Sequence, residues 1–156
     1  LKRVPELRDL SDDHHTALVL ARRCERAASA GSADAAKATW DEVREAFAGH
    51  LEPHFEIEER LLLPALASIG EGHLAEGIRG DHAALRALLT EGRGELALRR
   101  FGERLRSHVR FEEREVFEGT QDRLPASALR AIAEACRATP RVCPASVWAG
   151  RDEPRS

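Results

Sequence analysis

"HFEIEERLLLP", residues 54–64, places a histidine and a carboxylate where a helix buries its apolar face. Glu58 follows His54 by four residues. That is about 400° of helical rotation, so the two side chains stand roughly 40° apart and about 6 Å along the axis. They share a face with Trp40, Val43, Phe47, Leu51, Leu61 or Leu62, and Ala65. An unpartnered carboxylate on such a stripe costs several kcal/mol. A second stretch, "HVRFEEREVF" at 108–117, repeats the frame of His, apolar, any, apolar, Glu, Glu, Arg. One such pair on a solvated helix means little. Two copies with matching flanks, each on a buried stripe, need a partner inside the protein.

Outward from these stretches the periodicity is helical. A first helix of about 11–30 carries Leu7, Leu10, His14, Leu18, Ala21 and Cys24 in phase, with Ser11 or Asp12 available as N-cap and "AGSAD" as its stop. The second spans about 34–67, with Pro53 inside it removing one backbone hydrogen bond and predicting a kink beside His54. The third, about 73–91, sets His82 among Leu74, Ile78, Leu85 and Leu89. A fourth, about 95–118, holds Leu98, Phe101, Leu105, His108, Glu112 and Val116 on one face. After Leu124-Pro125 comes a shorter helix, about 126–138, and then a tail with Pro140, Pro144, Gly150 and Pro154. No strand pattern competes.

Four long helices with short links and one apolar stripe each predict an all-α, antiparallel up-down-up-down four-helix bundle. The expected organisation is a bundle over residues 1–124, with residues 125–156 forming a short helix and tail packed on it or extending from it. The chain also repeats itself coarsely: "DDHHTAL" then "HFEIEER" answers "GDHAAL" then "HVRFEER".

Composition narrows the class. With 156 residues one domain with a proper core is expected. The 24 basic and 27 acidic residues are interspersed, for a net charge of −3, so no electrostatic footprint for nucleic acid exists. Arg99, Arg100, Arg104, Arg106, Arg110 and Arg114 alternate with Glu95, Glu103, Glu113 and Glu115, which reads as a solvated face with i,i+4 pairs. No apolar run approaches the ~20 residues of a membrane span, and no secretory signal heads the sequence. No membrane partner and a cytoplasmic location are therefore expected. Because the first residue is Leu, targeting information in a preceding segment stays open. Cys24, Cys136 and Cys143 form no CxxC pair, so a thiolate zinc site is not expected, and reduced thiols are.

Two further helices present one histidine each on their apolar stripes. In an antiparallel bundle His14, His54, Glu58, His82, His108 and Glu112 can therefore converge in the interior. Four imidazoles and two carboxylates suit a pair of transition metals, each Glu bridging both ions and two His completing each side.

These residues carry a resemblance. The sequence looks like a hemerythrin-like protein of the HHE cation-binding domain family, through "DHH" near the start, "HFEIEERLLLP", "GDHAALRALL" and "HVRFEEREVF", over about residues 10–118. The resemblance implies a four-helix bundle around a non-haem diiron centre with an oxo or hydroxo bridge. It puts the bridging roles on Glu58 and Glu112 and terminal imidazoles on His54, His82 and His108, with one more from His14 or His15. His14 is preferred, because Leu10, Leu18 and Ala21 share its face whereas Arg22 follows His15 at +7.

The chain also departs from the oxygen carriers of that family. Those place a second histidine four residues from the third-helix one, where this chain has Ile78 and Arg86 around His82. They bridge with an aspartate five residues after the fourth-helix histidine, where this chain has Glu112 at four and Glu113 at five. His50 borders the stripe, as a fifth ligand or an outer contact, and His73 reads as surface. Glu59 and Glu113 turn about 100° from their neighbours and read as outer partners for the Arg that follows each. No ExxH pair of the ferritin-like pattern is present.

The leading functional reading is a diiron protein that binds or reacts with O2, peroxide or NO. Peroxide, NO or ferrous-iron redox activity stays open, as does manganese or zinc in place of iron, since ligand type alone does not choose the metal. The alternative is an iron- or oxygen-responsive sensor or interaction module ordered by metal, with its protein partner unknown. Peroxide turnover favours the first, and metal-dependent compactness or partner binding the second. A coincidental set of buried pairs is the third reading. Two histidines on each side make a symmetric set, from which poor reversible carriage of O2 is expected. Without a cation, one or both of Glu58 and Glu112 are expected to protonate or draw in water.

Overall fold

Helix ends are set by glycines able to turn left-handed. Gly31 (φ 68°) follows the first long helix and Gly70 (φ 81°) the second, in a conformation that side chains with a Cβ disfavour. The computed structural model describes residues 2–145 and 147. A 3₁₀ turn, Pro5–Leu7, leads into α1, Arg8–Ser29. The second helix, α2, is continuous over 33–68 and consists of Ala33–Ala46, Phe47–Leu51, Glu52–Ile57, Glu58–Leu62 and Leu63–Ser68. Then follow α3, Gly72–Glu91, and α4, built from Gly94–Phe111, Glu112–Phe117 and Glu118–Thr120. Last is α5, Ala126–Ala138. Among the described residues there is no strand.

The start of α1 differs from the sequence expectation. α1 begins at Arg8, without a side-chain cap, so neither Ser11 nor Asp12 caps it. Ser11 instead donates its hydroxyl to Glu113 Oε1 at 2.7 Å. As expected, Pro53 does not break α2: the helix widens into a π turn at Phe47–Leu51, where the Glu52 N–H reaches back to the Phe47 carbonyl. One turn before Pro53, the Gly49 carbonyl accepts from the Val142 N–H at 2.7 Å. The proline's missing donor is thus replaced from the far end of the chain.

The bundle is read from its two apolar cores. One contains Ala17, Leu20, Cys24, Trp40, Phe47, Leu51, Phe55, Leu85, Leu98, Phe101 and Leu105. The other contains Leu7, Leu10, Ile57, Leu62, Ile78, Val116 and Ile132. Each of the four long helices passes from one core to the other, in alternating direction. α1 and α3 leave the second core and enter the first, and α2 and α4 do the reverse. That is an antiparallel up-down-up-down bundle. Between the two cores each helix contributes polar side chains, so a polar layer crosses the middle of the molecule.

α5 buries Ile132, Ala135 and Cys136 in the second core, whereas Cys143 and Val147 after it lie in the first. The segment following α5 therefore runs back across the level of the polar layer. Gly150 and Pro154 of the expected tail lie outside the described residues. The Arg-rich face of α4 pairs between helices rather than along its own. Arg106 Nε donates to Glu25 Oε1 at 3.0 Å, Arg104 lies 3.3 Å from Asp81, and Arg99 reaches the Ala28 carbonyl. α1 and α4 approach so closely at Gly102 that a Cβ there would stand 2.8 Å from the Ala21 carbonyl oxygen.

Candidate metal centre

The polar layer is made by helical pitch acting twice. On α2 the step from His54 to Glu58 keeps both on the inner face, and on α4 the step from His108 to Glu112 does the same. His54 Nε2 lies 2.9 Å from Glu58 Oε1, and His108 Nε2 lies 3.4 Å from Glu112 Oε1. α1 adds His14, with Nε2 2.9 Å from Glu112 Oε2, and α3 adds His82, with Nε2 3.2 Å from Glu58 Oε2. All six side chains belong to residues no more than 3% exposed. A π turn begins at each glutamate, Glu58–Leu62 and Glu112–Phe117, so the repeated sequence frame is also a repeated backbone distortion.

The six residues fall into two overlapping groups of four, His14, His54, Glu58, Glu112 and Glu58, His82, His108, Glu112, the donor atoms in each within 4.8 Å of one another. Both glutamates belong to both groups. All four carboxylate oxygens, with Nε2 of His14, His82 and His108, have no aligned hydrogen-bond partner among the described residues. So many buried acceptors and ring nitrogens aimed at one point are costly unless a cation is their partner. A mixed imidazole and carboxylate donor set is what first-row transition metals accept.

Each imidazole is fixed from behind through Nδ1. His14 meets Glu113 at 2.7 Å, His54 meets Asp13 at 2.9 Å, His82 meets Glu59 at 2.9 Å and His108 meets Asp81 at 3.2 Å. A carboxylate on Nδ1 holds the proton there and turns the Nε2 lone pair toward the centre. The pattern has a pseudo-twofold logic. The Asp of each Asp-His doublet serves the HxxxE histidine of its own half, and the second Glu of each frame serves the doublet histidine of the other half. Aromatic rings close the flanks: Phe55 stacks on His82 at 3.8 Å and Phe117 on His14 at 5.6 Å.

Several expectations change here. Glu59 and Glu113 do sit behind the centre, but their arginine partners are Arg86 and Arg3 rather than Arg60 and Arg114. Arg86 Nη1 donates to Glu59 at 2.6 Å, and Arg3 pairs with Glu113. Arg86 also binds Glu52. His15 is exposed while His14 lies in the centre, and His73 is exposed. His50 is buried, but its Nε2 faces Asp13 at 3.5 Å and it joins neither group. Asp13 and Asp81 were not foreseen as supports. Their signal was the Asp-His doublet present in both halves, yet their partners lie on other helices, which spacing does not reveal.

Burial and neighbouring charges compete at these side chains. Burial pushes the His54 imidazole down, but the charge of the adjoining Glu58 and the hydrogen bond to Asp13 outweigh it and raise it to about 9. His14 and His82 are raised by the same contest between burial and the surrounding carboxylates. Burial pushes Glu58 up, but the His54 charge and the close imidazoles of His14, His54 and His82 hold it well below the usual carboxylate range. The imidazoles around Glu58 therefore favour its ionised form.

Fold and layer together define a helical bundle with a buried histidine–carboxylate metal-binding site. The family model of the hemerythrin HHE cation binding domain matches residues 6–119, and the chain belongs to that family. No significant match was found to any curated protein or to any solved structure. Among the described residues, no helix is long and apolar enough to cross a membrane.

Proposed function

We propose that this chain is a non-haem diiron protein that binds or reacts with O2, peroxide or NO. The observation that supports this reading is the pair of overlapping four-residue groups sharing Glu58 and Glu112. In this reading His14 and His54 would hold one ion and His82 and His108 the other, with Glu58 and Glu112 available to both. Bound there, iron would supply one-electron redox chemistry and positions for a small exogenous ligand. Asp13, Glu113, Glu59 and Asp81 keep the imidazole lone pairs aimed inward, and Phe55 and Phe117 exclude bulk water from two sides.

Protein purified without chelator is expected to carry two metal ions per chain, mostly iron, by elemental analysis and optical spectrum. His54→Ala or Glu58→Ala removes one donor from a shared site and should lower the content of both ions. One tightly held zinc and no iron, after aerobic and anaerobic preparation alike, would sink the diiron reading.

Reversible O2 carriage is expected to be poor. Carriage is favoured by one coordinatively full ion and one open ion, whereas here each side has two histidines and the same two glutamates. Stopped-flow mixing of reduced protein with oxygenated buffer should show oxidation without a lasting adduct. A visible band that fades under vacuum and returns with oxygen would show the opposite.

A further inference from the structure

The two halves of the centre are matched in their six inner residues and unmatched one layer out. Behind His108, Asp81 has Arg104 at 3.3 Å, an arginine whose side chain is 46% exposed. Behind His54, Asp13 is ion-paired with Arg141, whose Nε lies 2.7 Å from it without an aligned hydrogen bond and whose side chain is only 12% exposed. Arg141 lies outside the family-matched residues 6–119, on the segment that returns across the polar layer after α5. Three anchors hold that segment. Arg141 Nη1 donates to the Cys136 and Thr139 carbonyls at 2.8 and 2.6 Å, the Val142 N–H donates to Gly49, and Cys143 is buried in the first core. Gly49 is what lets it seat, since a Cβ there would stand 2.4 Å from the Val142 carbonyl oxygen.

We propose that Arg141 is a positioning residue for the metal centre. Its fixed charge holds in place the Asp13 carboxylate that meets His54 Nδ1, so the His14–His54 half is built more rigidly than the His82–His108 half and releases its ion more slowly. This rests on the two-ion reading above. A largely enclosed guanidinium held by the backbone carbonyls around it keeps its charge at a fixed point beside the carboxylate, while a half-exposed one is screened by water and costs side-chain entropy to hold. Supports of this kind behind a metal-ligating histidine typically change affinity by about 10–100-fold. The inner residues therefore make two like sites, and the tail makes them unequal.

Charge alone argues in the opposite direction, which makes the proposal testable. Removing a cation near the centre should strengthen metal binding if only electrostatics acts, whereas loss of positioning should weaken it. The experiment loads full-length protein with ferrous iron and follows its anaerobic extraction by excess chelator, comparing wild type with Arg141→Ala, Arg141→Lys, Arg104→Ala and His54→Ala. Wild type is expected to lose its two ions in two phases. Arg141→Ala should speed the slow phase by about tenfold and merge the two, Arg141→Lys should restore part of the difference, and Arg104→Ala should change little. Gly49→Ala serves as a second route: it keeps Arg141 and favours the helix but displaces Val142, and it should also speed only the slow phase.

Equal acceleration of both phases by Arg141→Ala and Gly49→Ala would mean general loosening and would overturn the inference, as would wild-type rates in both variants. Slower release from Arg141→Ala would overturn it in favour of simple charge. Wild-type protein holding fewer than two ions, or unaffected by His54→Ala, would remove the two-ion reading itself and the inference with it.

Discussion

At the scale of single residues, the centre depends as much on the carboxylates behind the histidines as on the histidines. Glu59 accepts from His82 Nδ1 and is itself held by Arg86, which also binds Glu52. Glu59→Gln removes the negative charge that favours the Nδ1–H form of His82, while Arg86 keeps Glu52. Metal affinity is expected to fall by about 10–100-fold, with the fold intact by circular dichroism. Chelator competition measures it, and an unchanged dissociation constant would mean that the centre orients its histidines without this partner.

At the scale of elements, the bundle depends on close approach of α1 and α4 at the level above the centre. Gly102 is buried, and a Cβ there meets not only the Ala21 carbonyl but Cys24 Cβ at 3.1 Å and Glu25 Cγ at 3.2 Å. Alanine would favour the helix by about 1 kcal/mol over glycine. Overpacking against another helix's backbone typically costs about 1–3 kcal/mol, and a carbonyl cannot swing aside as a side-chain tip can. Gly102→Ala is therefore expected to lower the melting temperature by a few degrees. A higher melting temperature would show that the two helices separate at little cost.

At the scale of the whole molecule, stability and metal are linked through protons. In the metal-free protein His54 is raised from 6.5 to about 9, so its stabilising charge is fully present below pH 6.5 and is lost as pH rises through 9. Glu58 is depressed below its ordinary 4.5, so its contribution is present above that value and is lost as pH falls. Metal-free protein should accordingly melt lower at pH 9 than at pH 6.5. Metal needs the imidazole lone pairs and competes with those protons, so loaded protein should keep its stability and the gap between the two forms should widen with pH. Thermal melts of stripped and reloaded protein test this, and coincident melts at every pH would argue against a buried site.

What sequence alone determined is what one helix determines for itself. A step of four residues becomes a shared face wherever the chain is helical, so His54 with Glu58, and His108 with Glu112, could be read as inward pairs before any fold was known. The same pitch placed His14 and His82 on buried stripes, and the glycines and short links marked the four long helices and the shorter α5. Only the tertiary structure decided what meets across helices. Asp13 serves His54, Glu113 serves His14, and Arg86 rather than Arg60 holds Glu59, because these contacts depend on how stripes rotate and slide against one another. The furthest of them joins opposite ends of the chain: Arg141 reaches Asp13, and Val142 supplies the donor that Pro53 withholds from Gly49. Local spacing carries no trace of such contacts, since they form only where two cores align the helices and the segment after α5 crosses back between them.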